Sequence, residues 1–247
     1  MLTLENVSFD VEDAKGEKGI IKDLSLTIDE GKFVVITGPN GGGKSTLAKL
    51  IAGIEKPTSG RIYFNGQDIT DMSVTDRANL GISYAFQQPV RFKGLQVLDL
   101  LRLAAKTRLS AADARQYLSE VGLCAKDYIN REVNASLSGG ELKRIEIATV
   151  LARSSRLSVF DEPEAGIDLW SFQNLIQVFE RMQENTKGSI LIISHQERIL
   201  NIADEIVVIA DGQITRQGKK EEVLPGILGT SSAIDACSKF YKGGRQE

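Results

Sequence analysis

A short stretch near the N-terminus combines residue types that bind phosphate. An apolar run, 33–37, is followed by a glycine-rich segment that ends on Lys-Ser-Thr. Gly38, four further residues and then Gly43-Lys44-Ser45 reproduce the spacing of a P-loop. Glycines let the backbone take positive φ angles and point successive N–H groups at a polyanion, and the helix that follows presents its positive end. The expected phosphate-binding residues are Gly38, Pro39, Asn40, Gly41, Gly42, Gly43, Lys44, Ser45 and Thr46.

Two side chains of this loop have distinct expected tasks. Lys44 would reach the β- and γ-phosphates of a nucleotide as a point charge, and the Ser45 hydroxyl would ligate Mg²⁺. The alternative is a glycine turn before an ordinary helix. The order of strand, loop and helix along the chain favours the P-loop.

A second candidate is a pair of carboxylates, Asp161 and Glu162, that follows the apolar run 157–160. This pattern places both at the carboxyl end of a buried strand, where open α/β sheets bind their ligands. Asp161 would hold Mg²⁺ directly or through water, and Glu162 would polarise an attacking water. Apolar strands that end in acidic residues are common, so the pair indicates a catalytic site only in combination with the P-loop upstream.

Composition restricts the class of protein. The 247 residues, 42% of them hydrophobic, suffice for one large α/β domain or two small ones with a substantial core. A formal net charge of -3 gives no global basic field, so no direct nucleic-acid partner is expected. Cys124 and Cys237 lie in no paired motif and read as reduced thiols of a cytoplasmic protein. The longest apolar runs have strand length, so no direct membrane insertion is expected.

The hydrophobic pattern predicts the elements that must position these residues. Alternating runs at 2–11 and 20–28, joined by a polar turn at 12–19, predict a small antiparallel sheet. From about 95 to 134 the period is helical, and after 156 strands and helices alternate as in a parallel sheet. The tail contains a Pro225-Gly226 break. The expected division is 1–88 and 156–223 for the two parts of a nucleotide-binding core, 89–155 for a helical subdomain and 224–247 for the tail.

Further motifs occur in the order of the ABC ATPases, which the chain resembles over about residues 2–222. They are the P-loop, Gln87 after a strand, Leu137-Ser138-Gly139-Gly140-Glu141, Asp161-Glu162, Ala165-Gly166-Ile167-Asp168 and His195. The resemblance implies an α/β fold with a P-loop NTPase core of ABC ATPase type, a small antiparallel β part and a helical subdomain insertion. It also implies hydrolysis of ATP with Mg²⁺ as cofactor.

The resemblance assigns expected roles to these positions. Gln87 resembles the Q-loop glutamine, which touches Mg²⁺ and the attacking water, and His195 resembles the switch histidine of the γ-phosphate. Ser138, Gly139 and Gly140 resemble the signature motif, which contacts ATP held by a second copy of the chain, and Asp168 resembles the D-loop aspartate at that interface. Taken alone, Ser138 would read as a helix N-cap. The expected catalytic set is Glu162, His195, Gln87 and Lys44, and the expected Mg²⁺ set is Ser45, Gln87 and Asp161.

Details near the signature resemble SufC, the ATPase of iron-sulphur cluster assembly. They are Ser-Gly-Gly-Glu at 138–141, Lys143-Arg144, Glu146-Ile147 and Ala85-Phe86-Gln87-Gln88-Pro89-Val90. This resemblance implies a soluble SufB/SufD-like scaffold as partner, docked near Val90, Arg91 and Phe92. Pro163 and Glu164 depart from that pattern, and Val11 stands where many ABC ATPases stack an aromatic ring on adenine. The alternative is the ATP-binding subunit of a membrane ABC transporter, whose partner would dock beside Gln87.

Overall fold

The computed structural model describes residues 1–13, 16–105, 108–185 and 188–229. Strands and helices in this part of the chain form two sheets with helices around them. The strands are β1 Leu2–Asp13, β2 Gly16–Ile28, β3 Phe33–Thr37, β4 Ser59–Phe64, β5 Gln67–Asp68, β6 Ile82–Ala85, β7 Leu157–Asp161, β8 Ser189–Ile193, β9 Glu205–Ala210 and β10 Gln213–Lys219. The helices are α1 Lys44–Ala52, α2 Val74–Leu80, α3 Val97–Ala105, α4 Ala111–Glu120, α5 Ala125–Tyr128, α6 Gly139–Arg153, α7 Leu169–Asn185 and α8 Glu197–Ile202.

The smaller sheet has the strand order β2-β1-β4-β5 and is antiparallel. The larger sheet has the order β10-β9-β3-β8-β7-β6, and only its β9–β10 pair is antiparallel. The small antiparallel sheet and the mostly parallel sheet both agree with the sequence prediction.

The central strands of the larger sheet are buried on both faces. Every residue of β3, β7 and β8 is buried, which explains why these segments read as continuous apolar runs rather than as alternating ones. Phe33 and Val35 join the core under the helices, whereas Val34 and Ile36 face the core shared with the antiparallel sheet. The alternation follows from the period of two residues along a strand.

The strand register brings the candidate residues to one edge. Ile193 at the end of β8 pairs with Ile36 of β3 and with Asp161 of β7. The loops that follow these three parallel strands therefore start side by side. They are the P-loop, the segment after Asp161 and the segment that contains His195.

Helices α3, α4, α5 and α6 follow β6 in sequence, and α6 packs against α3, α4 and the edge strand β6. In the described ranges, no helix has the length and the apolar character that crossing a membrane requires. Cys124 is an exposed free cysteine that precedes α5, whereas Cys237 lies outside the described residues.

Several predicted boundaries differ from the structure. The turn predicted at 12–19 is too wide, because β1 continues to Asp13 and β2 starts at Gly16. The break predicted at Pro225-Gly226 is wrong: residues 220–229 are helical, and their buried Val223 and Leu224 join the core under the helices. Helix α2 and strand β10 were not predicted.

Candidate nucleotide-binding site

The glycine-rich loop joins β3 to α1, as its sequence predicts. Gly38 has φ 134, and a Cβ atom there would lie 2.0 Å from the backbone oxygen of Ile209 in β9. Gly43 has φ 99 and precedes α1, which has no side-chain N-cap. Both positions require glycine, because another residue would be strained and would clash. The first turn of α1 thus presents its N–H groups without a competing cap, as an anion site requires.

Lys44 is folded back over this loop. Its Nζ donates to the backbone oxygens of Gly38 at 2.9 Å and Pro39 at 2.8 Å. Burial lowers the pKa of Lys44, and the negative charges of Glu162 and Asp161 oppose that shift. The ammonium group is therefore held by neutral carbonyls, and phosphate oxygens would be stronger partners because they carry charge.

Ser45 and Asp161 meet beside the loop. The Ser45 hydroxyl donates to Oδ1 of Asp161 at 2.9 Å, and the Tyr84 hydroxyl donates to Oδ2 at 3.0 Å. Burial raises the pKa of Asp161, and these two hydrogen bonds act in the opposite direction. Tyr84 was not predicted, because its approach to Asp161 depends on the pairing of β6 with β7.

A hydroxyl beside a carboxylate offers the hard oxygen ligands that Mg²⁺ prefers. Over the described ranges, no group of three or more His, Cys, Asp or Glu side chains could hold a metal ion. Ser45 and Asp161 would give Mg²⁺ one or two protein ligands, as is usual where phosphate oxygens and water supply the rest. The residues present therefore fit the expected ion.

Gln87 and Glu162 contact each other directly. Nε2 of Gln87 donates to Oε2 of Glu162 at 2.6 Å. Glu162 has φ 45, which is uncommon for a residue other than glycine, and its N–H donates to the backbone oxygen of Ile193 at 3.0 Å. The left-handed backbone conformation of Glu162 thus occurs directly after β7, at the residue whose side chain contacts Gln87.

A buried ion pair, absent from the sequence prediction, lies beneath this contact. Lys143 of α6 is fully buried and pairs with Glu146 at 3.4 Å. Its Nζ donates to the backbone oxygen of Phe86 and, at 3.5 Å, to those of Gln87 and Asp161. Oε1 of Glu146 accepts the N–H of Phe86 at 2.9 Å. The pair thus binds both the N–H and the C=O of Phe86 and ties α6 to the segment that carries Gln87.

The signature residues lie at the start of α6. The Ser138 Oγ accepts the N–H of Glu141 at 3.3 Å, and Oε2 of Glu141 accepts the N–H of Ser138 at 2.6 Å, which makes a capping box. A Cβ on Gly140 would lie 3.3 Å from the oxygen of Gly166, so the motif packs against the D-loop segment. The N-cap role considered for Ser138 is therefore real, and in this chain the motif faces the D-loop segment.

The segment after β8 is anchored at Ser194. The N–H of this buried serine donates to the backbone oxygen of Ile36 at 3.1 Å. Its hydroxyl donates to Oε1 of Glu164 at 2.5 Å. His195 itself is exposed, next to the P-loop strand. Asp168 accepts the N–H of Ser171 at 3.0 Å in the first turn of α7.

The remaining predicted residues lie in or beside the loop. Gly42 accepts the N–H of Gly212 at 3.1 Å, and Thr46 belongs to α1. Val11, at the position expected to face adenine, is 42% exposed. Pro39, Asn40 and Gly41 complete the turn between Gly38 and Gly42.

Known proteins are similar to this chain in sequence and in fold. The family model described as "ABC transporter" matches residues 21–165. An uncharacterized ABC transporter ATP-binding protein of Methanocaldococcus jannaschii is 39% identical over 218 residues, which cover 85% of this chain and 86% of that protein. The probable ATP-dependent transporter ycf16 of Pyropia yezoensis is 36% identical over 219 residues, covering 82% of this chain and 86% of that protein.

Solved structures of ATP-binding cassettes have the same fold as this chain. A dimeric ATP-binding cassette in a post-hydrolysis state, bound to ADP and Pi, superimposes with a TM-score of 0.80 at 26% identity and covers 89% of this chain and 99% of its own. The predicted fold class is confirmed by this match. The chain accordingly belongs to the ABC transporter ATP-binding family and is an ATP-hydrolysing P-loop NTPase.

Proposed function

We propose that this chain is the ATP-binding motor of a membrane ABC transporter and that it works as a head-to-tail pair of identical copies. The observation that carries the partner assignment is an apolar groove beside Gln87. The groove lies between the end of β6, α3 and α6, and its exposed apolar side chains are Phe86, Val90, Phe92 and Leu103.

This groove suits a helical segment of a partner. Leu103 is 66% exposed and Val90 is 44% exposed, although both are apolar. Contiguous exposed apolar groups mark interaction surfaces, and a groove flanked by helices accepts the apolar face of an amphipathic helix. Such a helix would sit against Phe86, whose peptide is held by Lys143 and Glu146, one residue from Gln87.

The position of the signature motif supports the proposed paired state. Ser138 and Glu141 cap α6, and Gly140 lies against Gly166 of the D-loop segment of the same chain, whereas the phosphate loop follows β3. A second copy would therefore complete the site, with Ser138 and the start of α6 facing the γ-phosphate and Asp168 at the interface. The dimeric cassette that this fold matches supports such pairing.

Each residue has a task in hydrolysis. The loop 38–46 and Lys44 bind the phosphates of ATP. Ser45, Asp161 and Gln87 would hold Mg²⁺, which supplies compensation for the charge on the phosphates when it is bound. Glu162 orients the attacking water and accepts its proton, Gln87 positions Glu162, and His195 contacts the γ-phosphate from the loop after β8.

A second candidate function is the movement of a soluble SufB/SufD-like scaffold in iron-sulphur cluster assembly. Glu141, Lys143 and Arg144, which resemble SufC, favour it, and in this structure Glu141 and Lys143 both make specific contacts. The relatives named above are described as transporter proteins, so the transporter function comes first.

Partner capture tests both candidates. The Glu162→Gln chain, expected to hold ATP without turnover, is used as bait in a detergent-solubilised native lysate with Mg-ATP. The transporter function is supported if the bait captures a polytopic membrane protein and no longer captures it when Leu103→Asp is added. A soluble β-helical protein with the same dependence on Leu103 supports the scaffold function instead. If Leu103→Asp does not change which proteins are captured, the groove is not the docking site.

A further inference from the structure

Glu141 directly follows the signature residues 138–140, and its carboxylate contacts two neighbouring side chains. The Tyr128 hydroxyl donates to Oε1 of Glu141, and the Arg131 guanidinium lies 3.6 Å from the same oxygen. The guanidinium also lies over the Tyr128 ring, 5.0 Å from its centroid. We refer to Tyr128, Arg131 and Glu141 as the Glu141 cluster.

The Glu141 carboxylate is charged at neutral pH. The hydrogen bond from Tyr128, with further bonds from Ser138, lowers its pKa from 4.5 to about 2. It occupies the third position of α6, where it satisfies the helix N-terminus through the capping box. A carboxylate there uses the same N–H groups and the same positive helix end that would attract a phosphate. It also adds a negative charge beside the place where a γ-phosphate would approach.

Arg131 is placed to cancel that charge. Its backbone oxygen accepts the N–H of Val97 at 2.9 Å, which fixes it to the start of α3. Its Nη2 donates to the oxygen of Ser136 at 3.3 Å, in the loop that leads into the signature. Arg144, a second nearby cation, is directed elsewhere, since it donates to the backbone oxygens of Gly140 and Gly122.

We infer that Arg131 is a positioning residue for the signature motif: by pairing with Glu141, it lets the start of α6 accept the γ-phosphate of ATP held by a second copy. The inference rests on the proposed head-to-tail pairing. Without Arg131, Glu141 is an uncompensated negative charge facing the incoming triphosphate, and the ATP-bound pair is weaker.

The test measures pairing by analytical ultracentrifugation in Mg-ATP, with all variants made in the Glu162→Gln chain. Arg131→Gln is expected to raise the dimer dissociation constant at least about threefold, because a two-fold pair repeats the contact at both sites. Glu141→Gln keeps a capping-box residue and removes the charge. In that background, Arg131→Gln is expected to have almost no effect. Lys126→Gln, at an exposed residue of the neighbouring α5, is the matched charge control.

Three other results decide against the inference. If Arg131→Gln weakens pairing equally with and without the Glu141→Gln change, the role of Arg131 is purely structural. A loss equal to that of Lys126→Gln would show a general charge effect. Absence of pairing in the Glu162→Gln parent, with a fluorescent ATP analogue still bound, overturns the proposed head-to-tail function itself and the inference with it.

Discussion

The amide of Gln87 donates to the carboxylate of Glu162 at 2.6 Å, and the two residues belong to different parts of the chain. Gln87 follows the edge strand β6 and lies one residue from Phe86 of the apolar groove. Glu162 follows the central strand β7. A partner that moves the Gln87 segment would therefore change the position of the carboxylate that is expected to orient water.

Glu162→Gln tests the expected role of that carboxylate. Gln still accepts the hydrogen bond from Gln87 but is a poor proton acceptor, so we expect turnover to fall by at least about a hundredfold. ATP binding should persist, because the loop 38–46 and Lys44 are unchanged. Phosphate release and binding of a fluorescent ATP analogue measure the two quantities. Unchanged turnover would remove Glu162 from the catalytic set.

Ser138→Arg tests the signature motif. Ser138 is exposed at the start of α6, and a bulky cation there should block approach of a second copy, while the phosphate loop 38–46, which is unchanged, still binds ATP. Sedimentation in Mg-ATP and nucleotide titration measure pairing and binding separately. Ser138→Ala is the control, since loss of the cap costs about 1 kcal/mol of stability and adds no bulk. Equal pairing in Ser138→Arg and the parent would contradict the assignment.

Local spacing was sufficient to locate the P-loop, Asp161 and Glu162, because strand, glycine loop and helix follow one another directly in sequence. Ser73 and Asp76, which cap α2, form a signal of the same local kind that could have revealed that helix. The helix at 220–229 was missed because Pro225-Gly226 suggests a break, and burial of neighbouring apolar residues outweighs that preference.

Contacts between distant segments could not be predicted in the same way. Tyr84 reaches Asp161 only because β6 pairs with β7 in a particular register. Lys143 looks like a surface residue in sequence, and it is buried because α6 lies against the end of β6. The roles of the site residues and the division of the chain into subdomains remain predictions.

Lys143→Met tests the buried pair. Methionine fills similar space but leaves Glu146 buried without its cation, so we expect a loss of about 3–5 kcal/mol in the free energy of unfolding. Burial already raises the pKa of Glu146. Adding Glu146→Leu should recover part of the loss, because it removes the unpaired buried carboxyl group but leaves the Phe86 backbone without these partners. Urea unfolding measures both, and additive losses would contradict the pairing.

Glu164→Gln tests the titration of the buried Glu164 carboxyl group, which lies beside the segment that contains His195. Burial raises the pKa of Glu164 above its ordinary value of 4.5, against the opposing hydrogen bond from Ser194 and the charge of His195. Oε2 of Glu164 is buried and has no hydrogen-bond partner among the described residues. Between the unfolded and folded pKa values the native state binds more protons, so stability falls as pH rises through this window.

Gln carries no charge and can still accept the hydrogen bond that Ser194 donates. We therefore expect the Glu164→Gln chain to be more stable than the parent at about pH 7.5, with the difference shrinking as the pH falls toward the ordinary value of 4.5. Urea unfolding across this range measures it, and Glu180→Gln, at an exposed carboxylate on α7, is the control. A difference that does not vary with pH would mean that Glu164 is ionised in the folded protein and that its pKa is not raised.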